Sequence, residues 1–475
     1  MQNLNDVGLP RAAAARLGWW FDAYVGADGA ISMGHWEDSC PFQFADGFAD
    51  YGEIQAIFTN TARALLANGD AGATAWIAQY APAAARVANY SLIMRRAAAG
   101  NASQTGVIAG MIWGPPEHDT CHEPGWYTHN NAWFVRGMRE MGRFLVDVCP
   151  TAGCADLAAF GAVLAAEAVS FLADFTASVA AITTLLPNNT AFVPPVHALG
   201  YAPFGSMIES VVAEYSNFRY YAELLGAGVL TDAQSAGLQV FRETHRGTVS
   251  GITRWSDHLD DMPSSYYAYA ALRDDRLERF FLLQYGHMAN YMGRGTLTAT
   301  EQLPITGDSN GVARDYLWSY LEGGIDECIP SIMLSAYATR LQLVLETPDE
   351  DTIWLAKGAP RRWFAPAGGG FSVARALTRF GAVDVAVASA ARAGGGERAT
   401  ASVAFRAGGV PGVTPAPLFA LRLRSSFAGG ALDAASVSVS GVGARLASVD
   451  AARGLVFVSV DAAAEVAFAV VGDLA

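Results

Sequence analysis

The hydrophobic pattern of this chain changes period once, near residue 349, and that change restricts the folds open to it. Upstream, apolar residues recur every three or four positions, as in GEIQAIFTNTARALLANG from Gly52 and in AGATAWIAQYAPAAARVANYSLIMRRAAAG from Ala71, the latter broken by Pro82. Phe134, Met138, Met141 and Leu145 mark another helical face, and further helices fit the runs that begin at Phe204, Thr231, Asp274 and Ser331. Asp156 and Thr231 are expected N-caps, and Gly226 and Gly228 expected stops. Downstream the period falls to two. Val383, Val385 and Val387 point one way, and SVSVSGV, LVFVSV and EVAFAVV repeat the habit between glycine-rich turns. The expectation is an α then β multidomain chain: a helical body over residues 1–348, with roughly ten to twelve helices, and a small antiparallel β-sandwich over 349–475. A body built from helix pairs can close into a ring of hairpins.

Composition removes several function classes. With 475 residues, 52% apolar and 16% charged, the chain can bury a large core. The longest apolar run, beginning ADLAAFGAVLAAEAV, carries Asp156, Glu167 and Asp174 on one narrow stripe, which predicts a helix buried on most sides rather than a membrane span. A net charge of −14 without a Lys/Arg cluster argues against nucleic acid. Lys357 is the only lysine, so no phosphate-loop lysine is present. The five cysteines do not form a disulfide framework; Cys149 and Cys154 can bridge across CPTAGC in an exported protein, and free thiols are an equal alternative. The first twenty residues lack a charged-then-apolar leader, Asn89, Asn101 and Asn188 lie in glycosylation sequons, and the compartment stays open, as does the oligomeric state.

Chemistry concentrates in three loop segments. GPPEHDTCHEPGWYTHNNAW holds Glu117, His118, Asp119, Trp126, Tyr127, Asn130 and Asn131. GITRWSDHLDDMPSSYY holds Arg254, Trp255, Asp260 and Asp261, and GHMANYMGRGTLTATEQLP holds Tyr291, Arg294 and Glu301. Each lies between helices, where a rigid scaffold presents functional groups. Carboxylates mixed with Trp and Tyr suit sugars, because aromatic rings stack on pyranose C–H faces while carboxylates, amides and arginine bind hydroxyls. Glycoside hydrolysis needs one protonated carboxyl and one that activates water or attacks the anomeric carbon. Glu117 and Asp119 are candidates for the acid, and Glu301 lies on the far side of the sequence, as expected if opposite lips of a cavity supply the pair. His118, Asp119, Cys121, His122 and Glu123 match no standard zinc spacing, so neither a metal nor another cofactor is expected.

The two-part pattern, with TIWLAKGAPRRWF and VARALTRFGAVDVAVAS opening the sandwich and GMIWGPPEHD and YMGRGTLTATEQL in the helical part, resembles the six-hairpin glycosidase superfamily. The resemblance implies an (α/α)6 toroid and a carbohydrate-active enzyme, often inverting, with an Asp/Glu pair in the central cavity, Glu117 or Asp119 as the acid and Glu301 as the base. Two alternatives stand beside it. A polysaccharide lyase would enlist Tyr127, His129, Asn130, Asn131 and Arg294 around a uronate, and a non-catalytic toroid would only bind glycans.

Overall fold

The computed structural model describes residues 5, 8–32, 48–116, 124–187, 190–256, 258–292, 299–300, 302–304, 328–347, 350–366, 370–393, 395–407, 417–426, 430–461 and 465–474. The helical part alternates outer and inner helices along the chain. The outer ones are α1 (Pro10–Tyr24), α3 (Ala73–Ala99), α5 (Ala158–Ile182), α8 (Asp232–Thr244) and α10 (Leu277–Asn290). The inner ones are α2 (Ala49–Ala67), α4 (Thr128–Asp147), a helix over 211–227, α9 (Ser264–Arg273) and α11 (Ile329–Leu343). The helix over 211–227 joins α6 (Val211–Tyr215), a π-helical segment (Ser216–Tyr220) and α7 (Tyr221–Ala227). The inner helices pack in sequence as an arc, α2 on α4, α4 on 211–227, that helix on α9, and α9 on α11. Between them lie a short strand pair, β1 (Thr184–Leu185) with β2 (Ala191–Phe192), and a small sheet of β3 (Thr248–Val249), β4 (Ile252–Trp255), β5 (His258–Asp260) and β6 (Gln302–Pro304).

The α2 helix crosses α4 at close range. A Cβ on Gly52 would meet the Trp133 carbonyl at 2.0 Å, and one on Gly137 would meet the Gly52 Cα at 2.6 Å. Two facing glycines thus let the backbones touch, and they seat α4, most of whose residues are buried, in the centre of the arc.

Several local expectations hold. Thr231 caps α8 through a complete capping box with Gln234, and Gly228 ends α7 in the left-handed conformation. Of the two states open to Cys149 and Cys154, the structure has the disulfide. Others need correction. Gly226 lies inside α7 and stops nothing. Pro82 does not break α3; it sits exposed inside a continuous helix. Asp156 lies in a 3-10 turn before α5 and caps nothing with its side chain. The α5 helix is not buried on most sides. Its charged stripe turns inward to the arginines of α3, with Asp174 on Arg95 and Glu167 on Arg95 and Arg96 at 3.4 Å, while Val169 stays 71% exposed among alanines. Long enough and apolar enough to cross a membrane by composition, α5 in this fold covers α4 with one face.

The β part comprises β7 (Val344–Glu346), β8 (Thr352–Leu355), β9 (Phe371–Thr378), β10 (Gly381–Ala391), β11 (Glu397–Ala407), β12 (Leu418–Arg422), β13 (Ser438–Ser440), β14 (Ala444–Asp450), β15 (Leu455–Val460) and β16 (Glu465–Leu474). They form two five-stranded sheets, with strand orders β13-β16-β11-β10-β9 and β14-β15-β12-β8-β7. The pairings in both are antiparallel except β12 with β8, which is parallel. The alternating valines Val383, Val385 and Val387 meet Val403, Phe405, Phe419 and Phe468 in the core, as a half-buried strand pattern requires.

The C-terminal ends of the inner helices abut the sandwich. Ala64 of α2 packs on Leu377 and Ala382, Arg422 pairs with Asp275 at 2.6 Å, and the Lys357 ammonium donates to the Arg273 carbonyl.

Candidate active site

The segment 112–116 is held between the N-termini of α2 and α4. Phe48 N–H and the Asn130 amide both donate to the Pro115 carbonyl, at 3.2 and 2.8 Å. Asn131 accepts from Ile112 N–H at 2.8 Å and donates to the carbonyls of Ile112 and Tyr127. The two amides expected to bind substrate thus spend these groups on the main chain. They hold Ile112 and Pro115 against the first turn of α4. Glu117, His118 and Asp119, expected to act here, lie outside the described residues, as do Arg294 and Glu301.

Behind this segment stands an acid–base cluster contributed by four inner helices. His129, the second residue of α4, has its Nε2 3.3 Å from the Pro116 carbonyl and 3.6 Å from a Glu223 carboxylate oxygen. Its ring stacks on Tyr220 at 4.5 Å. Both Nε2 neighbours are acceptors, so the proton sits on Nε2. Burial, aided by the charge of Arg219, lowers the imidazole pKa to about 3 although the Pro116 bond opposes it. The imidazole is therefore neutral, and its approach to Glu223 is a contact rather than an ion pair. Glu223 is paired with Arg219, whose Nε lies 2.5 Å away.

Glu53, one helical turn into α2, accepts a hydrogen bond from the Tyr266 hydroxyl of α9 at 2.9 Å. Burial comes first and the nearby Glu223 charge second in pushing its pKa up to about 7, against the pull of Tyr266, Arg219 and Arg136. Tyr266 itself is raised well above 10 and stays a phenol, chiefly through burial. Arg136 joins the cluster through Glu140 at 2.8 Å and the Gly226 carbonyl at 2.6 Å, with its guanidinium over Trp133. Glu53, Trp133, Arg136 and Tyr266 line a cleft of about 180 Å³ that runs down the middle of the arc to the sandwich.

The π-helical segment explains part of this convergence. An i→i+5 stretch inserts a residue into the helix and re-aims the side chains after it, here Tyr220 and Glu223. Sequence patterning puts Tyr220 and Tyr221 in the core, and both are buried, but it misses Glu53, Glu223, Arg136 and Arg219. The available signal is a glutamate on the buried stretch of an apolar run, YYAELLG, which needs a partner to be tolerated there.

The remaining expected residues fall into two groups at the same end of the arc. Tyr127 stacks edge-on to Tyr220 at 5.4 Å. Trp126 packs against the helical core. Trp255 stacks on Phe218 at 4.5 Å, and Arg254 donates to the Ser256 carbonyl. These last two lie on β4, which pairs with β5 in the small sheet. Periodicity alone predicts loop for this segment. In the second group Asp261 and His287 meet at 2.5 Å, both fully buried, with Tyr291 stacked on His287. Burial raises the Asp261 pKa, against hydrogen bonds from His287 and Ser331. Asp260 is buried next to it and accepts from Met262 N–H. Asp260 and Asp261 are thus wall rather than cleft. Gln302, which follows Glu301, lies opposite Asp260 in the β5–β6 register.

Among the described residues no group of three His, Cys, Asp or Glu side chains stands close enough to hold a metal ion. Compared with known proteins, the chain matches no family model and no curated protein.

Proposed function

We propose that the chain is a glycoside hydrolase whose alternating helix pairs form an (α/α)6 toroid of hairpins, with the reaction in the cleft at its centre. The observation that carries the reading is Glu53, a carboxyl that stays half-protonated near neutral pH on the wall of a cleft flanked by Trp133 and Tyr266. A general acid works best with its pKa near the working pH, and aromatic walls suit a sugar. Glu53 is the proton donor in this proposal. Glu223 keeps the Glu53 pKa high, and His129 and Arg219 hold Glu223 in place. The second carboxylate comes from the loops, Glu301 or the Glu117–Asp119 pair, which lie outside the described residues. The action is inverting.

The test is a panel of oligosaccharides incubated with wild type, Glu53→Gln and Glu301→Gln, following reducing ends and ultraviolet absorbance together. Reducing ends without absorbance, lowered at least ~100-fold in Glu53→Gln, are expected for loss of a general acid. Absorbance that rises with each cut means β-elimination, and the lyase reading then replaces this one. An active Glu53→Gln removes Glu53 from the mechanism.

A further inference from the structure

The cleft does not end at Glu53. Glu53, Ile57, Asn60 and Arg63 recur at helical spacing along one face of α2, and Trp133, Arg136, Glu140, Arg143 and Asp147 do so along α4; all line the same cleft. At a rise of 1.5 Å per residue, Arg63 lies ~15 Å further along α2 than Glu53. Here the cleft meets the sandwich and its chemistry changes. Arg63, Arg139, Arg143, Arg340 and Arg379 outnumber Glu140, Asp147, Glu346 and Asp351. In a chain of net charge −14 this is a local excess of positive charge inside a cleft, where low-dielectric walls strengthen it.

Most of these arginines are engaged. Arg340 donates to the Val344 and Leu377 carbonyls, and Arg379 to those of Thr347 and Glu350. Arg143 faces Asp351 at 3.5 Å. Arg63 differs. Among the described residues its guanidinium has no hydrogen bond and no ion pair; it lies over the Phe144 ring at 5.9 Å. Burial, then the charge of Arg379, disfavours its cationic form, and Asp147 and Glu140 act on it only through space. A planar fork of donors in that position gains most from a ligand oxyanion that it can grip with two parallel hydrogen bonds.

We propose that the sandwich end of the cleft is a binding subsite for an oxyanion borne by the saccharide, a uronate carboxylate or a sulfate ester, with Arg63 as its anchor and Arg143 and Arg379 beside it. That the ligand is a saccharide rests on the hydrolase reading of Glu53; the oxyanion site rests on Arg63 alone.

The experiment is calorimetric titration of the full chain with three probes, an oligogalacturonate, a sulfated carrageenan oligosaccharide and a neutral cello-oligosaccharide, each against wild type, Arg63→Met and Arg63→Lys. Wild type should bind one of the two acidic probes roughly 10- to 100-fold more tightly than the neutral one, the span expected for a lost charged hydrogen bond. Arg63→Met should erase that preference, and Arg63→Lys, which keeps the charge without the fork, should restore part of it. Which acidic probe wins identifies the oxyanion. No preference in wild type, or a preference that survives Arg63→Met, overturns the proposal. If Arg63→Met does not fold, Arg143→Gln must weaken the preference in its place, and an unchanged preference there overturns it equally. Acidic binding without cleavage would keep the subsite and refute the hydrolase reading. Cleavage of neutral chains with no acidic preference would do the reverse.

Discussion

Single titratable groups in this fold pull stability in opposite directions as pH changes. His129 and His197 are both buried neutral, with pKa values lowered to about 3 from 6.5. Their contribution is fully present above pH 6.5 and is lost as pH falls toward 3, because the unfolded chain takes up protons the folded one refuses. His197 rests on the Ser178 hydroxyl at 2.6 Å and does not line the cleft, so it isolates the effect. In His197→Asn the slope of stability against pH between 4 and 6 should fall by about 1.4 kcal/mol per pH unit, one proton's worth. Denaturant midpoints at several pH values give that slope, and a slope equal to wild type would mean His197 is protonated in the fold. Glu53 has the reverse sign. Its pKa rises from 4.5 to about 7, so the folded chain holds a proton that the unfolded one releases above pH 4.5. Stability is lost as pH climbs through that window. Glu53→Gln keeps an acceptor for Tyr266 and removes the charge, so it should be more stable than wild type at pH 8, by on the order of 1–3 kcal/mol, while activity falls. A variant both inactive and less stable would make Glu53 a structural member of the network. None of these shifts was legible in the sequence, because each arises from burial by helices that are distant along the chain. His129 and Glu223, which meet across the arc, are 94 positions apart.

At the level of elements, the site depends on how closely α2 and α4 cross. Gly52 precedes Glu53, and its missing side chain is what lets the Trp133 carbonyl approach. Gly52→Ala would gain helix propensity in isolation, yet here the added methyl meets backbone, which yields far less readily than a flexible side chain. Overpacking of this kind costs about 1–3 kcal/mol or more. The α2 helix must then shift outward and carry Glu53 with it, so kcat should fall further than stability alone explains. Normal activity in a destabilised Gly52→Ala would uncouple the crossing from the site. The elements themselves are largely readable: the three-to-four spacing marks α2, and alternation marks β10 and β15. Context is what the pattern lacks. Pro82 reads as a break, but a helix tolerates proline when its outer face is free to adjust. The charged stripe of α5 reads as the only wet face; in the fold it is the ion-paired seam to α3, and alanine and valine face outward. The strands β4 and β5 read as loop because six polar or charged residues crowd RWSDHLDD, and the π-helical segment has no period of its own to detect.

Across the whole molecule, the sandwich is the floor of the cleft as well as a neighbour of the helices. The join is polar at its centre. Arg422 of β12, only 2% exposed, donates to the Lys357 carbonyl within the β part and pairs with Asp275 of the helical part, and Lys357 reaches back to the Arg273 carbonyl. Removing one partner from a buried pair leaves the other charge uncompensated and costs roughly 3–5 kcal/mol. Asp275 keeps some solvent contact, which places the loss toward the lower end. Arg422→Leu should therefore lower the melting temperature. If this join is what couples the two parts, it should also split a single calorimetric transition into two, with the β part and the helical part melting apart. A single transition at a lower temperature would mean that apolar contacts such as Ala64 with Leu377 suffice to keep the parts cooperative. The same variant bears on the cleft. Arg379 and Asp351 reach it from the β part, so a loosened join should weaken the proposed acidic ligands before it touches the proposed chemistry at Glu53, raising KM while kcat holds.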